Sequence, residues 1–234
     1  MARILLVAAS GLARETLASI RSSGRDTVVG FLDDDEALHG TVLDGVPVLG
    51  GLHEAPRHRE KLLLCAGQGR SRAAIEARLA GLGVEEARYA IHVHPSVVIG
   101  GGSRIGSGSI LLAGCVLTSD VILGRHAVLM PRTVLTHDDV LGDHVTCAAG
   151  TTLAGRVHVG SRAYLGMQVS VRQDVRVGQD TVIGMGAVVL QDVPDAQTWA
   201  GNPAGPLRRT EPAGVVGQSP GTHARLRTVK GTAS

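Results

Sequence analysis

A six-residue repeat runs without a break from Val93 to Pro194 and leaves the chain very few possible folds. Sixteen of the seventeen repeats begin with an aliphatic residue, and Cys147 begins the other one. Glycine follows directly in eight repeats, and the fifth position is nearly always small or β-branched. These glycines are Gly100, Gly106, Gly124, Gly142, Gly160, Gly166, Gly178 and Gly184. A fixed period of six is typical of a β-helix and excludes a helical heptad.

The repeat predicts a left-handed parallel β-helix, in which three hexapeptides complete one triangular coil. Residues eighteen apart then stack at about 4.8 Å, the spacing between neighbouring strands. Aliphatic side chains point into the prism and small residues fill its narrow interior. We expect the repeat glycines to supply the positive φ angles of the turns. Six residues per face is typical of the left-handed form, although crossover connections are usually right-handed.

The first ninety residues show a different pattern, in which apolar strands alternate with helical segments. Predicted strands cover 3–8, 28–32 and 61–66, and predicted helices cover 12–22 and 71–82, the second with Ser71 as N-cap. This alternation indicates a small Rossmann-like α/β domain with a parallel sheet. Ligands bind such sheets at the carboxyl ends of strands. Those ends carry Ser10-Gly11, Asp33-Asp34 and Gly67-Gln68-Gly69.

Two chemistries are available at these strand ends. Gly11 can offer backbone N–H groups to an anion at a helix N-terminus, and Asp33 and Asp34 can accept hydrogen bonds from a ribose or a base. A dinucleotide site is disfavoured, because the sequence around Gly11 lacks the full GxGxxG fingerprint. Tight packing of a βα turn and a solvated acidic turn remain alternative interpretations.

Composition narrows the class of protein. Of the 234 residues, 44% are hydrophobic but only 2% are aromatic, so the core must be aliphatic and regularly stacked. The net charge of +2 gives no sign of nucleic-acid or membrane binding. No segment approaches the ~20 apolar residues of a membrane span, and the N-terminal residues lack a secretory pattern. Because three cysteines lie in apolar segments, we expect reduced thiols in a cytoplasmic protein.

One of the ten histidines stands out because two carboxylates follow it. His137 precedes Asp138 and Asp139 and lies near a predicted prism corner, where its side chain can point outward. Acyl transfer to an amine or a hydroxyl needs a base, and a neighbouring carboxylate can fix the histidine tautomer that serves as one. An exposed histidine on a turn is the alternative interpretation.

Six motifs occur in one order along the chain. They are Ala9-Ser10-Gly11 with Arg14-Glu15, Phe31-Leu32-Asp33-Asp34, His137-Asp138, Leu153-Ala154-Gly155, Tyr164-Leu165-Gly166 and Gly201-Asn202-Pro203-Ala204. Over about residues 3–208 the chain resembles the sugar O-acyltransferase family, which includes sialic-acid O-acetyltransferases and N-acetyltransferases of nucleotide-linked 4-amino sugars. The resemblance implies a homotrimer with an acetyl-CoA site between neighbouring prisms.

The resemblance also implies roles for individual residues. His137 would be the general base, Asp138 would orient it, and the Gly155 N–H would hold the thioester carbonyl. The predicted contacts to coenzyme A are Gly155, Gly166, Gly184, Gly186 and Pro203. The predicted contacts to the acceptor are Ser10, Gly11, Asp33, Asp34, Gly67 and Thr146. Acetyl-CoA is the predicted co-substrate, and no metal is predicted.

Two positions depart from the family pattern. The family often has a histidine where this chain has Leu12, and a second one, nine residues after the base, where it has Thr146. Both positions face the acceptor in the family, so the acceptor differs or the activity is weakened. His144 could replace the second histidine only if the local register differed.

These observations predict three segments and one activity. Residues 1–90 would form an α/β acceptor-binding domain, 91–208 a β-helix acyltransferase domain and 209–234 a disordered tail. The predicted activity is acetyl-CoA-dependent acetylation of an amino or hydroxyl group of a sugar, with a nucleotide-linked amino sugar favoured. The alternatives are an O-acetyltransferase of sialic acid or another free metabolite, and a catalytically weakened trimeric scaffold.

Two further expectations concern assembly and metals. A homotrimer would form the cofactor cleft and cover apolar outer residues, namely Leu112, Met130 and Leu190. His126 and His144 are eighteen apart and should stack on the surface. A zinc site that adds His158 is disfavoured, because the His-x4-His pair of left-handed β-helix carbonic anhydrases is missing.

Overall fold

The computed structural model describes residues 1–207, and their N-terminal part is an α/β sheet. The strands are β1 (Arg3–Val7), β2 (Thr27–Leu32), β3 (Val42–Leu43), β4 (Val46–Gly50) and β5 (Lys61–Leu64), and the α-helices are α1 (Gly11–Ser23) and α2 (Gly69–Gly81). The strand order is β3-β4-β2-β1-β5, in which β3 and β4 are antiparallel and the other pairs are parallel.

Two details differ from the sequence prediction. Helix α2 begins after Gln68, so the expected N-cap at Ser71 is wrong. The β3–β4 hairpin was not predicted, although its turn has a recognisable signal. Asp44 and Gly45 both have positive φ, at 46° and 79°, as an Asp-Gly hairpin turn requires.

Two-residue strands, β6 to β22, wind the rest of the chain into a three-sided prism. They are β6 (His92–Val93), β7 (Val98–Ile99), β8 (Arg104–Ile105), β9 (Ile110–Leu111), β10 (Val116–Leu117), β11 (Ile122–Leu123), β12 (Val128–Leu129), β13 (Val134–Leu135), β14 (Val140–Leu141), β15 (Thr146–Cys147), β16 (Thr152–Leu153), β17 (His158–Val159), β18 (Tyr164–Leu165), β19 (Ser170–Val171), β20 (Arg176–Val177), β21 (Val182–Ile183) and β22 (Val188–Val189). Strands β23 (Thr198–Ala200) and β24 (Gly205–Pro206) follow at the C-terminal end.

Three parallel sheets form the faces of the prism. Face 1 contains β6, β9, β12, β15, β18 and β21 and continues into β23 and β24; face 2 contains β7, β10, β13, β16, β19 and β22; face 3 contains β8, β11, β14, β17 and β20. Residues eighteen apart are paired, as in Leu117, Leu135 and Leu153. The predicted left-handed β-helix behind an α/β sheet is confirmed.

The turns define three corners that position the functional residues. Corner 1–2 follows the strands of face 1 and includes Met167 and Gly186. Corner 2–3 follows face 2 and includes His137, and corner 3–1 follows face 3 and includes His126 and His144.

The repeat glycines serve close packing and not the turns, so the expectation of positive φ at these positions is wrong. None of the eight has a positive φ. A Cβ at Gly100 would lie 1.5 Å from the carbonyl oxygen of Thr118, and a Cβ at Gly160 would lie 2.4 Å from the amide nitrogen of Gln179. Positive φ occurs at the corners, two positions later, often at polar residues such as Asp120, His126, Arg132, Asp138 and His144.

The α/β sheet packs on the prism through α1. Leu12, Leu17 and Ile20 of α1 share one apolar cluster with Leu112 of face 1, and Met130 packs against that cluster. Leu112 is therefore buried within the chain, contrary to the prediction, and Met130 is half-buried. Leu190 is exposed as expected, at 44%.

Several other predictions concern the chain as a whole. The three cysteines are buried and free. Within residues 1–207, no helix is long and apolar enough to cross a membrane. The predicted tail at 209–234 lies outside the described residues.

His92 is a titratable group buried in the contact between α1 and the prism. Its Nε2 lies 2.7 Å from Oγ of Ser19. Burial lowers the pKa of His92 to about 4, assisted by the nearby His94. The folded protein therefore keeps this imidazole neutral at pH values where an exposed histidine is protonated.

We expect His92 to make the free energy of unfolding depend on pH between about 6.5 and 4. In this window the unfolded chain binds a proton that the folded chain does not, so stability falls as pH falls, by about 3 kcal/mol in total. Urea unfolding of His92→Gln at pH 7 and pH 4.5 should show a smaller pH dependence than wild type. The exposed His158→Gln should behave like wild type, and an unchanged pH dependence in His92→Gln would contradict the assignment.

Candidate active site

The predicted base, His137, lies on the turn after β13 at corner 2–3. Its Nδ1 lies 2.8 Å from Oδ2 of Asp138, and the two side chains are 53% and 56% exposed. Asp138 has a φ of 62°, the left-handed conformation of the corner. With Nδ1 held by the carboxylate, Nε2 carries the lone pair and is open to a ligand.

Asp139, the second carboxylate, is not part of this pair. It is fully buried and accepts the backbone N–H groups of Thr136 and Val157, at 2.7 and 2.9 Å. Burial raises the pKa of Asp139 to about 6, although the two N–H groups oppose the shift. Its contacts tie the turn that carries His137 to the next coil of the prism.

Gly155 lies against the His137 ring, one coil further along. A Cβ at Gly155 would lie 2.6 Å from Nε2 of His137, so a side chain there would displace the ring, and the residue has the left-handed φ of a corner, 58°. The Gly155 N–H donates to Oγ1 of Thr136. The structure thus brings His137, Asp138 and Gly155 together, with a backbone donor aimed at an oxygen beside the base.

A cavity of 790 Å³ lies between α1 and corner 1–2 of the prism. This volume is typical of small-molecule sites. Three predicted acceptor contacts meet there, namely Gly11, Gly67 and Thr146. Leu12 lines the same cavity, so both departures from the family pattern belong to its wall. The β15 register is regular, and His144 points away from Thr146 at corner 3–1, so it does not replace the missing ring.

The remaining predicted acceptor contacts already have partners within the chain. Asp33 accepts the N–H of Ala9 at 2.7 Å, and Asp34 lies 2.6 Å from Nη1 of Arg78. The Ser10 hydroxyl caps α1 and donates to the carbonyl that follows β5. These bonds hold the strand ends in place, and a role in acceptor binding stays a prediction.

Sequence reasoning missed Arg72, a fully buried arginine that fixes the wall of this cavity. Nη2 donates to Oγ1 of Thr146 at 2.9 Å and to the carbonyl of His144 at 2.8 Å, while Nη1 donates to the carbonyl of Gly67 at 3.0 Å. Among the described residues no carboxylate forms a salt bridge with it. Burial lowers the pKa of Arg72 to about 10, so it remains charged at neutral pH.

The start of α2 contacts the prism so closely that only glycine fits. A Cβ at Gly69 would lie 2.2 Å from the carbonyl oxygen of His144 and 3.0 Å from Cα of Arg162. The Thr146 hydroxyl also donates directly to the carbonyl of Gly67 at 2.9 Å. The loop before α2 and strand β15 therefore form one continuous wall.

Within a single chain, the base and the cavity lie at different corners. His137 and Gly155 are at corner 2–3, Met167 and the cavity are at corner 1–2, and face 2 separates them. The other predicted coenzyme A contacts lie on face 1 or beyond it, at Gly166, Gly184, Gly186 and Pro203. The predicted base and the cavity are therefore separate within one chain.

Several proteins of known structure share the fold of this chain over most of its length. PerB from Caulobacter crescentus is 30% identical, with a TM-score of 0.78, over 89% of this chain and 98% of its own. This chain belongs to the sugar O-acyltransferase family of left-handed β-helix acetyltransferases. The predicted family and enzyme class are confirmed.

Two further members of the family align over nearly their whole length. WeeI from Acinetobacter baumannii is 30% identical, with a TM-score of 0.78, over 87% of this chain and 99% of its own. The acetyltransferase domain of PglB from Neisseria gonorrhoeae is 27% identical, with a TM-score of 0.79, over 88% of this chain and 100% of its own. No protein-family model and no curated protein sequence matches the chain.

We expect Arg72→Lys to lower the free energy of unfolding by about 2–4 kcal/mol, because several buried carbonyl and hydroxyl oxygens lose a donor. Arg70→Lys is the matched control. Arg70 lies on the same helix but is exposed, and its ion pair with Asp180 should contribute less than about 1 kcal/mol. Urea unfolding compares the two variants, and equal losses would show that Arg72 is not the buried clamp described.

Proposed function

We propose that this protein transfers the acetyl group of acetyl-CoA to an amino group of a nucleotide-linked sugar. The observation that carries the proposal is the His137–Asp138 pair, with Nδ1 at 2.8 Å from the carboxylate and Nε2 against Gly155. Solved structures of relatives support the substrates. PerB was solved with CoA and GDP-perosamine, and the PglB domain was solved with acetyl coenzyme A.

The residues at corner 2–3 can carry out direct acyl transfer. Asp138 holds Nδ1 of His137, and Nε2 takes a proton from the sugar amine as its nitrogen bonds to the thioester carbonyl carbon. The Gly155 N–H, released from Thr136, donates to the oxygen on which negative charge develops. When the carbon–sulfur bond breaks, His137 returns the proton to the departing thiolate. The products are the amide and the free thiol.

A homotrimer would complete the site by bringing the predicted base and the cavity together. Corner 2–3 of one copy would face corner 1–2 of the next, so that His137 reaches the cavity of its neighbour. Exposed apolar residues support contacts along face 2 and the corners on either side of it, since Val98, Met167 and Leu190 are exposed and Met185 is 73% exposed. A closed ring of three buries this surface without leaving a free end.

The cavity wall favours an amino sugar that presents an apolar edge. Leu12, Leu112 and Met130 line the wall, and Thr146 has its hydroxyl committed to Arg72 and Gly67. The polar side chains that remain to bind sugar hydroxyls are Glu15, Ser22, His94 and Tyr164, away from this apolar part of the wall. Because the three cysteines are free thiols, we place the reaction in the cytoplasm.

Replacement of the base tests the mechanism. We expect His137→Ala to lower kcat/KM by about 10²–10⁴, because proton transfer in the transition state loses its base. Thiol release from acetyl-CoA is measured with GDP- and UDP-linked amino sugars, free sialic acid and serine as acceptors. The exposed His158→Ala is the control and should match wild type. Wild-type turnover in His137→Ala would rule out this base, and a preference for free sialic acid or serine would rule out the proposed acceptor.

Mixed oligomers test the shared site. His137→Ala removes the base and Ala18→Trp fills the cavity from the exposed side of α1, so each variant alone should be inactive. Every mixed ring of three contains one junction with an intact base and an intact cavity, so hybrids should recover about one third of wild-type activity. Hybrids purified through two different tags are assayed for thiol release. Inactive hybrids would show that base and cavity act within one chain.

A further inference from the structure

Outside the active site, Glu76, His126 and His144 form a buried cluster between α2 and corner 3–1. The two histidines are 0% and 5% exposed, so the expectation of surface histidines is wrong. They stack as expected, with ring planes 10° apart and centroids 5.2 Å apart, because eighteen residues separate them. No part of the proposed reaction uses them.

The ring nitrogens of this cluster lack hydrogen-bond partners. Both nitrogens of His126 and Nε2 of His144 are buried without one. Nε2 of His126 lies 3.3 Å from Oε1 of Glu76, and Nε2 of His144 lies 2.8 Å from Oε2, but neither contact has the direction of a hydrogen bond. An unpaired polar atom in the interior is costly, so the cluster has an unmet requirement for a partner.

We propose that Glu76, His126 and His144 bind one divalent transition-metal ion per chain, with zinc as the best match. One ligand atom from each residue lies within 4.8 Å of the others. Two imidazole nitrogens and one carboxylate oxygen are a ligand set that zinc accepts, with a fourth position left for water. This inference goes beyond the proposed acetyl transfer and does not depend on it.

The neighbouring charges determine which ion fits. Nη1 of Arg125 lies 2.6 Å from Oε1 of Glu76, which leaves Oε2 for the ion. Arg72 donates to the backbone carbonyl of His144 nearby. Two positive groups oppose a cation that is held by charge alone, so affinity must come from the imidazoles. Imidazole ligands favour zinc, copper or nickel over magnesium and calcium.

The placement of the cluster indicates a structural role. Glu76 lies one helical turn after Arg72 on α2, whereas His126 and His144 come from consecutive coils of the prism. An ion at this point would fasten α2, and with it the Gly67 wall of the cavity, to the prism. The cluster lies at corner 3–1, away from His137.

Metal titration of the complete chain tests the proposal. Chelator-treated protein is titrated with Zn²⁺ by calorimetry and with Co²⁺ by its visible absorption, and Mg²⁺ is the control ion. We expect one Zn²⁺ per chain and no Mg²⁺ binding. At a hundredfold excess of Zn²⁺ over Kd, Tm should rise by roughly 5–10 °C.

Variants locate the ion. Glu76→Gln keeps the size of the side chain and should lose zinc binding and the rise in Tm, as should His144→Asn. His158→Asn and His137→Asn alter exposed histidines and should keep both. Circular dichroism and gel filtration confirm that the Glu76→Gln protein is folded. The proposal is overturned if folded wild type binds no zinc, if Glu76→Gln binds zinc as wild type does, or if binding disappears in His137→Asn.

Discussion

The stacking of residues eighteen apart is the constraint from which most of the active site follows. Each coil lies on the next at the spacing of adjacent parallel strands, so a residue at a corner always meets the residue one coil later. His137 therefore meets the turn of Gly155, and His126 meets His144. The sequence separation of two corner residues therefore determines whether their side chains meet, because the register of the strands fixes which residues stack.

The same stacking gives two positions of each turn different roles, one in close packing and one in presenting side chains at the corner. Where glycine follows the aliphatic position, it approaches the next coil so closely that a Cβ does not fit, as at Gly100 and Gly160. Two positions later the backbone is left-handed but space is open, and polar side chains such as Asp138 are accepted. The left-handed conformation costs non-glycine residues roughly 1–2 kcal/mol, and aspartate tolerates it better than most. The corners can thus present chemically active side chains without disturbing the coil.

How well a contact could be predicted from the sequence depends on whether the repeat spacing fixes it or the docking of the α/β sheet on the prism does. Contacts within the prism depend on spacing alone, and the neighbourhood of His137, Asp138 and Gly155 followed from spacing and family resemblance. Contacts between the α/β sheet and the prism depend on how the two dock, which no local pattern encodes. Arg72 has no sequence signal, because a helical arginine ordinarily faces solvent. The burial of Leu112 under α1 was missed for the same reason. The β3–β4 hairpin, in contrast, could have been predicted, because Asp44-Gly45 is a common two-residue hairpin turn.

The two losses of histidine from the family pattern affect the acceptor wall and leave the base intact. Thr146 replaces a ring with a hydroxyl that accepts from Arg72 and donates to Gly67, so the position now helps to join the two domains. Leu12 packs with face 1 beside it. Neither residue contacts His137, whose partner and backbone donor are both present at corner 2–3. The His137–Asp138 pair and the cavity wall lie at different corners and make different contacts, so the wall can change its chemistry while the pair keeps its geometry. The substitutions therefore argue for a different acceptor and against a weakened scaffold.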